Sequence, residues 1–301
     1  MATILITGTS SGIGRLTTET LARAGHTVYA TMRAIDAHNR AAAEYLQQLA
    51  REEDLHIRTL EMDVQDSKSV RRAVDQTLQE SSRLDVVVNN AGLMSIGLAE
   101  GFTEVQVERQ MDINFMGSVR VCRAVLPHLR AQRNGLLIHV TSIVGRILFP
   151  GCAFYCASKF AQEAFAEVLH YELAGTGVES VIVEPGPYPS QLLPNSPAPE
   201  DIARLAGYGD LAALRDRFVA HFSGLFGSPE APNTQEVADA ILGLVDLPPG
   251  SRPIRTVCGL DFRAHELNNA IAPFQAEVLR ALGMEQMTPK LVSQHIGKVS
   301  A

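Results

Sequence analysis

Tyr155 and Lys159 stand four residues apart in Tyr155-Cys156-Ala157-Ser158-Lys159, a spacing that puts two side chains on one helix face about 6 Å apart along its axis. A phenol with an ordinary pKa of about 10 exchanges protons poorly near neutrality until something favours its anion. A nearby ammonium does that. Ser142, at the end of an apolar run, can hydrogen-bond a carbonyl, and Asn114, inside a helical stretch, can support a buried water or proton relay. Each fragment alone is more commonly a solvated helix face or a structural cap.

A second chemical signature opens the chain. Residues 3–16 read TILITGTSSGIGRL, an apolar run followed by Gly8, Gly12 and Gly14 and then a helical pattern. Strand, tight turn and helix follow from that order. Glycine lets a backbone approach a ligand closely, and the helix start behind the turn offers unpaired N–H groups and a positive dipole end to an anion. That combination cradles phosphate. The spacing is G-x-x-x-G-x-G rather than the commoner G-x-G-x-x-G fingerprint. Gly8-Thr9-Ser10-Ser11-Gly12 also matches a G-x-S-x-G nucleophile elbow, but a hydrolase would need strands and an oxyanion loop ahead of Ser10.

The bulk properties narrow the field. A chain of 301 residues, 46% hydrophobic and 20% charged, is globular and can bury a substantial core. Its net charge of −7 argues against nucleic acid or an anionic membrane as the main partner. Met1-Ala2-Thr3 runs straight into the first apolar segment, and no run approaches a membrane span, so the expectation is a cytoplasmic protein. Cys122, Cys152, Cys156 and Cys258 form no C-x-x-C pair and read as free thiols in a pocket or core.

Positioning these residues requires alternating strands and helices. Strands are expected at 4–7, 27–32, 56–64, 84–88, 135–142 and 178–184, with a seventh at 254–258; helices are expected at 41–52, 67–80, 105–131 and 153–173. That alternation predicts a doubly wound parallel sheet, with ligands at the carboxyl ends of the strands. Between Gln191 and Asn233, Pro194, Pro197 and Pro199 interrupt the pattern, and Phe218, Phe222 and Phe226 share one side of a helical segment from 211 to 226. A segment of this length reads as a substrate lid or as an extra packed helix.

Together these residues resemble the short-chain dehydrogenase/reductase family. Thr7-Gly8-x-x-x-Gly12-Ile13-Gly14 is similar to its cofactor glycines and Asn89-Asn90-Ala91-Gly92 to its fourth-strand motif, while Asn114, Ser142, Tyr155 and Lys159 fall in its catalytic order. The resemblance spans residues 3 to 190. It implies a Rossmann fold and hydride transfer, with Tyr155 as general acid in carbonyl reduction and base in alcohol oxidation. Lys159 would lower the tyrosine pKa and hold the nicotinamide ribose, Ser142 would polarise the carbonyl, and Asn114 would hold the relay water. The same resemblance assigns cofactor contacts to Gly8, Ser10, Ser11, Gly12, Ile13 and Gly14, to Asp63 and Val64 beside adenine, to Asn90, Ala91 and Gly92 along the groove, and to Tyr155 and Lys159. Pro185 and Gly186 resemble the turn beside the nicotinamide, and Ser190 falls where the family commonly has a carboxamide-contacting Thr. Pro187 and Pro189 make the placement of Ser190 harder to foresee.

Charge selects the cofactor. Thr31-Met32-Arg33 ends the second strand with a guanidinium where an NAD-preferring fold places a carboxylate, and a guanidinium suits a 2′-phosphate. Ser11 and Arg15 could assist, and Asp36 is expected to cap the following helix. NADP(H) is therefore the expected cofactor. No metal is required: His265-Glu266 begins an H-E-x-x-H whose last position is Asn269, and His139 reads as a satisfied interior residue.

Met94, Ile143, Val144, Phe149, Cys152, Tyr188, Leu192 and Leu193 fall near the expected pocket and suit an apolar ketone, aldehyde or secondary alcohol. Val28 to Arg33 with the lid resembles the steroid and retinol dehydrogenase-like branch. The reading is thus one NADP(H)-dependent carbonyl reductase or alcohol dehydrogenase domain over 1–301, with a lid at 191–233 and a C-terminal extension at 260–301; the resemblance implies a homodimer or homotetramer. Two alternatives stay open: an NADP(H)-binding sensor or scaffold without turnover, and a sugar-nucleotide epimerase or dehydratase of the extended branch, whose glycines usually run G-x-x-G-x-x-G.

Overall fold

A computed structural model describes residues 1–297. Eight parallel strands form one sheet: β1 (Thr3–Thr7), β2 (Thr27–Met32), β3 (Ile57–Glu61), β4 (Val86–Asn89), β5 (Gly135–Val140), β6 (Val178–Pro185), β7 (Arg255–Cys258) and β8 (Ser293–Ile296), in the order β3-β2-β1-β4-β5-β6-β7-β8. The connection from β3 passes to the far side of β1, so the winding reverses between β1 and β4. A crevice opens there at the strands' carboxyl ends.

Strand alternation sorts the core into two layers. Ile4 and Ile6 face Leu21 of α1 (Gly12–Arg23), Leu46 of α2 (Arg40–Glu52) and Ile241, which belongs to a later helix at Gln235–Asp246. Leu5 faces the other side, toward Val70 of α3 (Ser67–Ser81) and a layer containing Val121, Val125 and Leu169. Each fully buried Leu or Ile contributes about 2 kcal/mol, so a one-residue slip that exchanged the layers would be very costly.

The helix expected over 105–131 is two helices. Asp112–Met116 forms a π-helical turn between α4 (Glu104–Met111) and α5 (Gly117–Gln132). Such wider turns insert an extra residue and occur often at functional sites. Pro127 lies within α5 without ending it. Thr103 and Gln106 form a reciprocal capping box at the start of α4, and the Asp66 carboxylate accepts from two amides at the start of α3.

Asp36, expected to cap α2, does not: Asn39 occupies that position, and its side-chain amide donates to Arg33 O at 2.6 Å. The strand expected over 56–64 ends at Glu61, because the carboxylate of Glu61 receives the amides of Ala34 and Ile35 at 2.8 and 2.7 Å and ties the strand end to the loop after β2. β5 likewise ends at Val140, leaving Ser142 beyond it.

After α6 (Ala153–Glu172) and β6, 3₁₀ turns broken by a kink at Gly209 cover Ile202–Ala213, and α7 covers Leu214–Phe226. The helix expected from 211 therefore begins at Leu214. Then come α8 (Gln235–Asp246) and α9 (Ala264–Ala281), and β8 returns to pair with β7. Residues 293–296 of the expected C-terminal extension thus complete the sheet. His265, the incomplete zinc motif, accepts or donates at Ser293 Oγ (2.8 Å) and ties α9 to that strand. Residues 298–301 of the extension lie outside the described residues.

Two glycines give opposite expectations. A Cβ on Gly14 would lie 2.3 Å from Gly8 O, whereas one on Gly243 in α8 would meet nothing within 4 Å. Gly14→Ala is expected to destabilise the fold by about 1–3 kcal/mol, and Gly243→Ala to stabilise it by about 0.5–1 kcal/mol, both measured by denaturant unfolding.

Candidate active site

The ends of β1 and β4 are bonded to each other across the crevice. Thr7 Oγ1 accepts from the amides of Asn90 and Ala91, each at 2.9 Å, and Asn90 Nδ2 donates back to Thr7 O at 2.9 Å and Gly8 O at 3.0 Å. Gly8, at φ +71°, packs so closely that a Cβ would lie 2.8 Å from Ala91 Cα. The glycine turn then feeds α1, where Ser11 occupies the N-cap position with no side-chain hydrogen bond and no acidic residue stands in the first turn. The first amides of α1 therefore face an open crevice free of local anions, the chemistry a phosphate requires.

That crevice is one end of a cavity of about 630 Å³. Gly8, Ser10 to Gly14, Arg33, Asp63, Val64, Asn90 to Gly92, Ser142, Tyr155, Lys159, Pro185, Gly186 and Ser190 all line it. Of the expected catalytic residues Asn114 does not. It lies fully buried in the π-helical turn, where Nδ2 donates to Leu93 O and Ser158 Oγ at 2.9 Å and Oδ1 accepts from Leu93 N at 2.8 Å. Its amide is a strut between the β4 loop and α6.

The proline-rich turn after β6 is held from three sides: Gly186 N donates to Cys258 O at 2.9 Å, Tyr188 OH to Glu236 at 3.0 Å, and Thr234 Oγ1 to Pro189 O at 2.9 Å. Ser190 is thereby set over the glycine turn, its Cβ 3.6 Å from where a Cβ on Gly12 would be. Arg15, expected to assist with phosphate, faces elsewhere. It pairs with Glu19 at 3.6 Å and lies 5.3 Å over the Tyr45 ring.

Ser142 Oγ donates to Pro185 O at 3.2 Å and accepts from Val144 N at 3.3 Å, capping a short 3₁₀ turn at Ile143–Gly145. Tyr155 is 7% and Lys159 4% exposed, and the ammonium lies 5.9 Å from the phenol ring centre. Lys159 Nζ donates to Val140 O and to Gln162 Oε1, both at 3.0 Å. Gln162 in turn donates to Ser118 Oγ at 2.9 Å.

The electrostatics correct one expectation. Lys159 does not pull the phenol down here: burial pushes the Tyr155 pKa above its ordinary value, with only the Ser142 hydrogen bond acting the other way. Burial also brings Lys159 down to about 7, partly opposed by the charge of Glu163. Both groups thus favour their neutral forms, because desolvation outweighs their mutual influence at this separation. His139 is a second correction. Neither ring nitrogen is hydrogen-bonded; the ring packs edge-on to Phe165, and burial brings its pKa down to about 4.

The other end of the cavity is apolar. Phe149 stacks on Phe222 with ring centres 6.2 Å apart, Phe218 lies 4.7 Å from Phe222, and Phe226 continues the wall. Met94, Cys152 and Leu193 line the same end. All four cysteines are buried and unpaired.

Sequence reasoning missed His38, Asn39, Gln65 and Arg109, which also line the cavity. His38 and Asn39 could have been found by their nearness to Arg33; Arg109 carries no local signal, since only the packing of α4 brings it there.

The comparisons agree with this geometry. Residues 2–201 match the model of the short chain dehydrogenase family. This chain is a short-chain dehydrogenase/reductase. It is 38% identical over 207 residues to a 3-ketodihydrosphingosine reductase of Bacteroides thetaiotaomicron, covering 69% of this chain and 70% of that one. To human 17-beta-hydroxysteroid dehydrogenase type 1 it is 33% identical over 249 residues, 81% and 74% of the two chains. Among solved structures, a short-chain dehydrogenase from Streptomyces avermitilis superposes with a TM-score of 0.71 at 27% identity, covering 95% of this chain and 98% of that one. The fold is accordingly the doubly wound α/β fold of an oxidoreductase family. No helix among the described residues is long and apolar enough to cross a membrane.

The Lys159 pKa carries a stability signature. A lysine at about 7 when folded and about 10.4 when unfolded binds fewer protons in the folded state between those values. Stability therefore rises with pH across that window, and the cost of the buried ammonium is greatest below about pH 7. Lys159→Met is expected to stabilise the protein relative to wild type more at about pH 6 than at about pH 9.5. Thermal unfolding at both values checks this; a difference independent of pH would refute the buried-ammonium account.

Proposed function

We propose that this protein is an NADP(H)-dependent oxidoreductase that interconverts a hydrophobic ketone or aldehyde and its alcohol, with Tyr155 as general acid and base. The observation that carries the reading is the convergence of Ser142, Tyr155 and Lys159 midway along a cavity with a phosphate cradle at one end and an aromatic wall at the other. The cofactor, when bound, supplies or accepts the hydride. Gly8, Gly12 and Gly14 with the first turn of α1 would hold its phosphates, Asp63 and Val64 its adenine, Lys159 its ribose, and Pro185, Gly186 and Ser190 its nicotinamide end.

Arg33 supports the choice of NADP(H). It lines the cavity together with His38 and Asn39, whereas Asp36, the one carboxylate of that loop, does not. Asn39 fixes the Arg33 backbone, so the guanidinium extends from a pinned turn toward the adenine end, where it suits a 2′-phosphate.

Ser142 orients the substrate oxygen and Tyr155 gives it a proton. Burial helps here, since a phenol pushed upward is fully protonated at neutral pH and ready to donate. Lys159, titrating near 7, can return a proton to the site and is held by Val140 O and Gln162. Asn114 keeps Ser158 and the β4 loop in register and supports the relay through that placement.

Phe149, Phe218, Phe222 and Phe226 favour an apolar substrate body, with the segment 191–233 closing over it as a lid. Two relatives are named for a keto lipid and a hydroxysteroid, which agrees with the steroid and retinol dehydrogenase-like branch. We assign the protein to the cytoplasm, where a reduced NADPH pool drives carbonyl reduction. A homodimer or homotetramer paired through α5 and α6 would cover Phe160 and Val168, which are 39% and 49% exposed on α6.

Oxidation of NADPH and NADH in parallel, across a panel of apolar ketones and aldehydes, tests the reading. Wild type is expected to prefer NADPH, and Tyr155→Phe to lose about 10²–10⁴-fold in kcat. Arg33→Ala should raise KM for NADPH about tenfold, roughly the loss of one charge-assisted phosphate contact, with little effect on NADH. Preference for NADH would refute the Arg33 assignment, and undiminished turnover in Tyr155→Phe the catalytic one.

A further inference from the structure

Behind the cavity lies a buried polar network that the chemistry above does not use. Arg255 on β7 is 3% exposed, and its guanidinium is shared by Glu163 at 3.1 Å, Glu184 at 3.1 Å and Glu167 at 2.5 Å. The second oxygen of Glu163 accepts from Thr141 Oγ1 at 2.5 Å. The second oxygen of Glu184 accepts from Asn268 Nδ2 at 2.6 Å, and Asn268 Oδ1 accepts from Arg146 Nε at 2.7 Å. Glu163 and Glu184 are 2% and 0% exposed.

Each member stands beside a working part. Thr141 precedes Ser142, Glu163 follows Lys159 by one helical turn, and Glu184 precedes Pro185 and Gly186. Arg146 follows the 3₁₀ turn that Ser142 caps. That turn is pressed onto α6: a Cβ on Gly145 would lie 2.6 Å from Glu163 Cγ and 3.1 Å from Lys159 O. One guanidinium from the C-terminal part of the sheet thus joins all three segments that carry the active site.

We propose that Glu163 is a positioning residue for Lys159 and Ser142: clamped between Thr141 and Arg255, it fixes the end of β5 against α6 and supplies the negative charge that faces the buried ammonium. This rests on the assignment of Lys159 to the active site. The network holds three carboxyl groups against two guanidinium groups, and burial together with the charge of Glu163 pushes Glu184 well above the usual carboxylate range. That direction favours the protonated form of Glu184 and brings the assembly toward neutrality. The titratable groups beside Lys159 are Tyr155, whose ring centre lies 5.9 Å from the ammonium, and Glu163; Glu163 in turn meets Arg255 from β7 and acts on Glu184 from β6. The π-helical turn and α5 present neutral Asn114 and Ser118. Of these groups, the charge of Glu163 is the one that holds the ammonium up against desolvation.

The chain has four lysines, Lys68, Lys159, Lys290 and Lys298, so protein labelled with carbon-13 at lysine Cε gives a simple spectrum in which Lys159 is assigned by its loss in Lys159→Arg. Its titration is read without cofactor or turnover. Wild type is expected to titrate near 7, Glu163→Gln at least about half a unit lower, and Glu163→Asp, which keeps the charge, with wild type. Glu184→Gln, which mimics the protonated acid, should also leave the midpoint in place. An unchanged midpoint in Glu163→Gln, or an equal fall in Glu184→Gln, overturns the proposal. If Glu163→Gln does not fold, a lowered midpoint in Glu163→Asp overturns it and a wild-type midpoint supports it. Where turnover is found, the corresponding limb of the kcat profile should move with the Lys159 midpoint in Glu163→Gln while KM for NADPH stays within about twofold. Absence of any carbonyl reduction by wild type would sink the functional reading and leave the titration result standing.

Discussion

The hydrogen-bonded tie between the ends of β1 and β4 is the constraint on which the rest of the molecule depends. A doubly wound sheet must diverge where its winding reverses, and the divergence exposes strand-end backbone groups that need partners. Thr7 and Asn90 supply them reciprocally. With the two strands held together, Gly8 can approach Ala91 and Gly14 can approach Gly8 at distances no side chain would permit. The glycine turn is therefore a packed joint as well as one wall of the cavity. The same tie fixes the loop after β4, whose Leu93 is gripped by Asn114 from the π-helical turn.

From that joint the site is built by burial. Tyr155 and Lys159 share a helix face as their spacing requires, yet desolvation governs both, driving the phenol up and the ammonium down. A lysine so placed needs directed acceptors, and Val140 O with Gln162 provides them. Behind it, Arg255 and its carboxylates are dry enough to push Glu184 well above the usual carboxylate range. Polar groups buried at this density are tolerated when nearly all are hydrogen-bonded, and the web that satisfies them also holds the ends of β5, β6 and α6 in place.

The C-terminal third extends the sheet and completes the cavity wall. β7 brings Arg255 beneath the site, β8 forms the sheet edge, and α7 lays Phe218 and Phe222 against Phe149, with Phe226 beside Phe222. The glycine turn and the Ser142, Tyr155 and Lys159 group come from residues before Ser190, and much of the apolar wall comes from after it. A family that keeps its chemistry in one part of the chain can vary what it accepts through another.

The local signals were legible because they are carried by short stretches. The β-branched run before Gly8, the Tyr155-x-x-x-Lys159 spacing and the alternation of apolar segments each follow from bonding over a few residues, so the strands through β7, and candidate residues that the fold brings to one cavity, could be named from sequence alone. What needed the tertiary structure is whatever depends on distant neighbours. The break in the 105–131 helix falls just before Gly117, where Asn114 is packed between Leu93 and Ser158, and not at Pro127. β8 is four residues of mixed polarity, Ser293-Gln294-His295-Ile296, that become a strand only because β7 offers an edge. Asp36 and Arg15 had suitable types in suitable places but point away, and the pKa direction of Tyr155 reverses the local expectation. Spacing determines which groups meet; the amount of water removed around them, set by the whole fold, decides which ionisation state they hold.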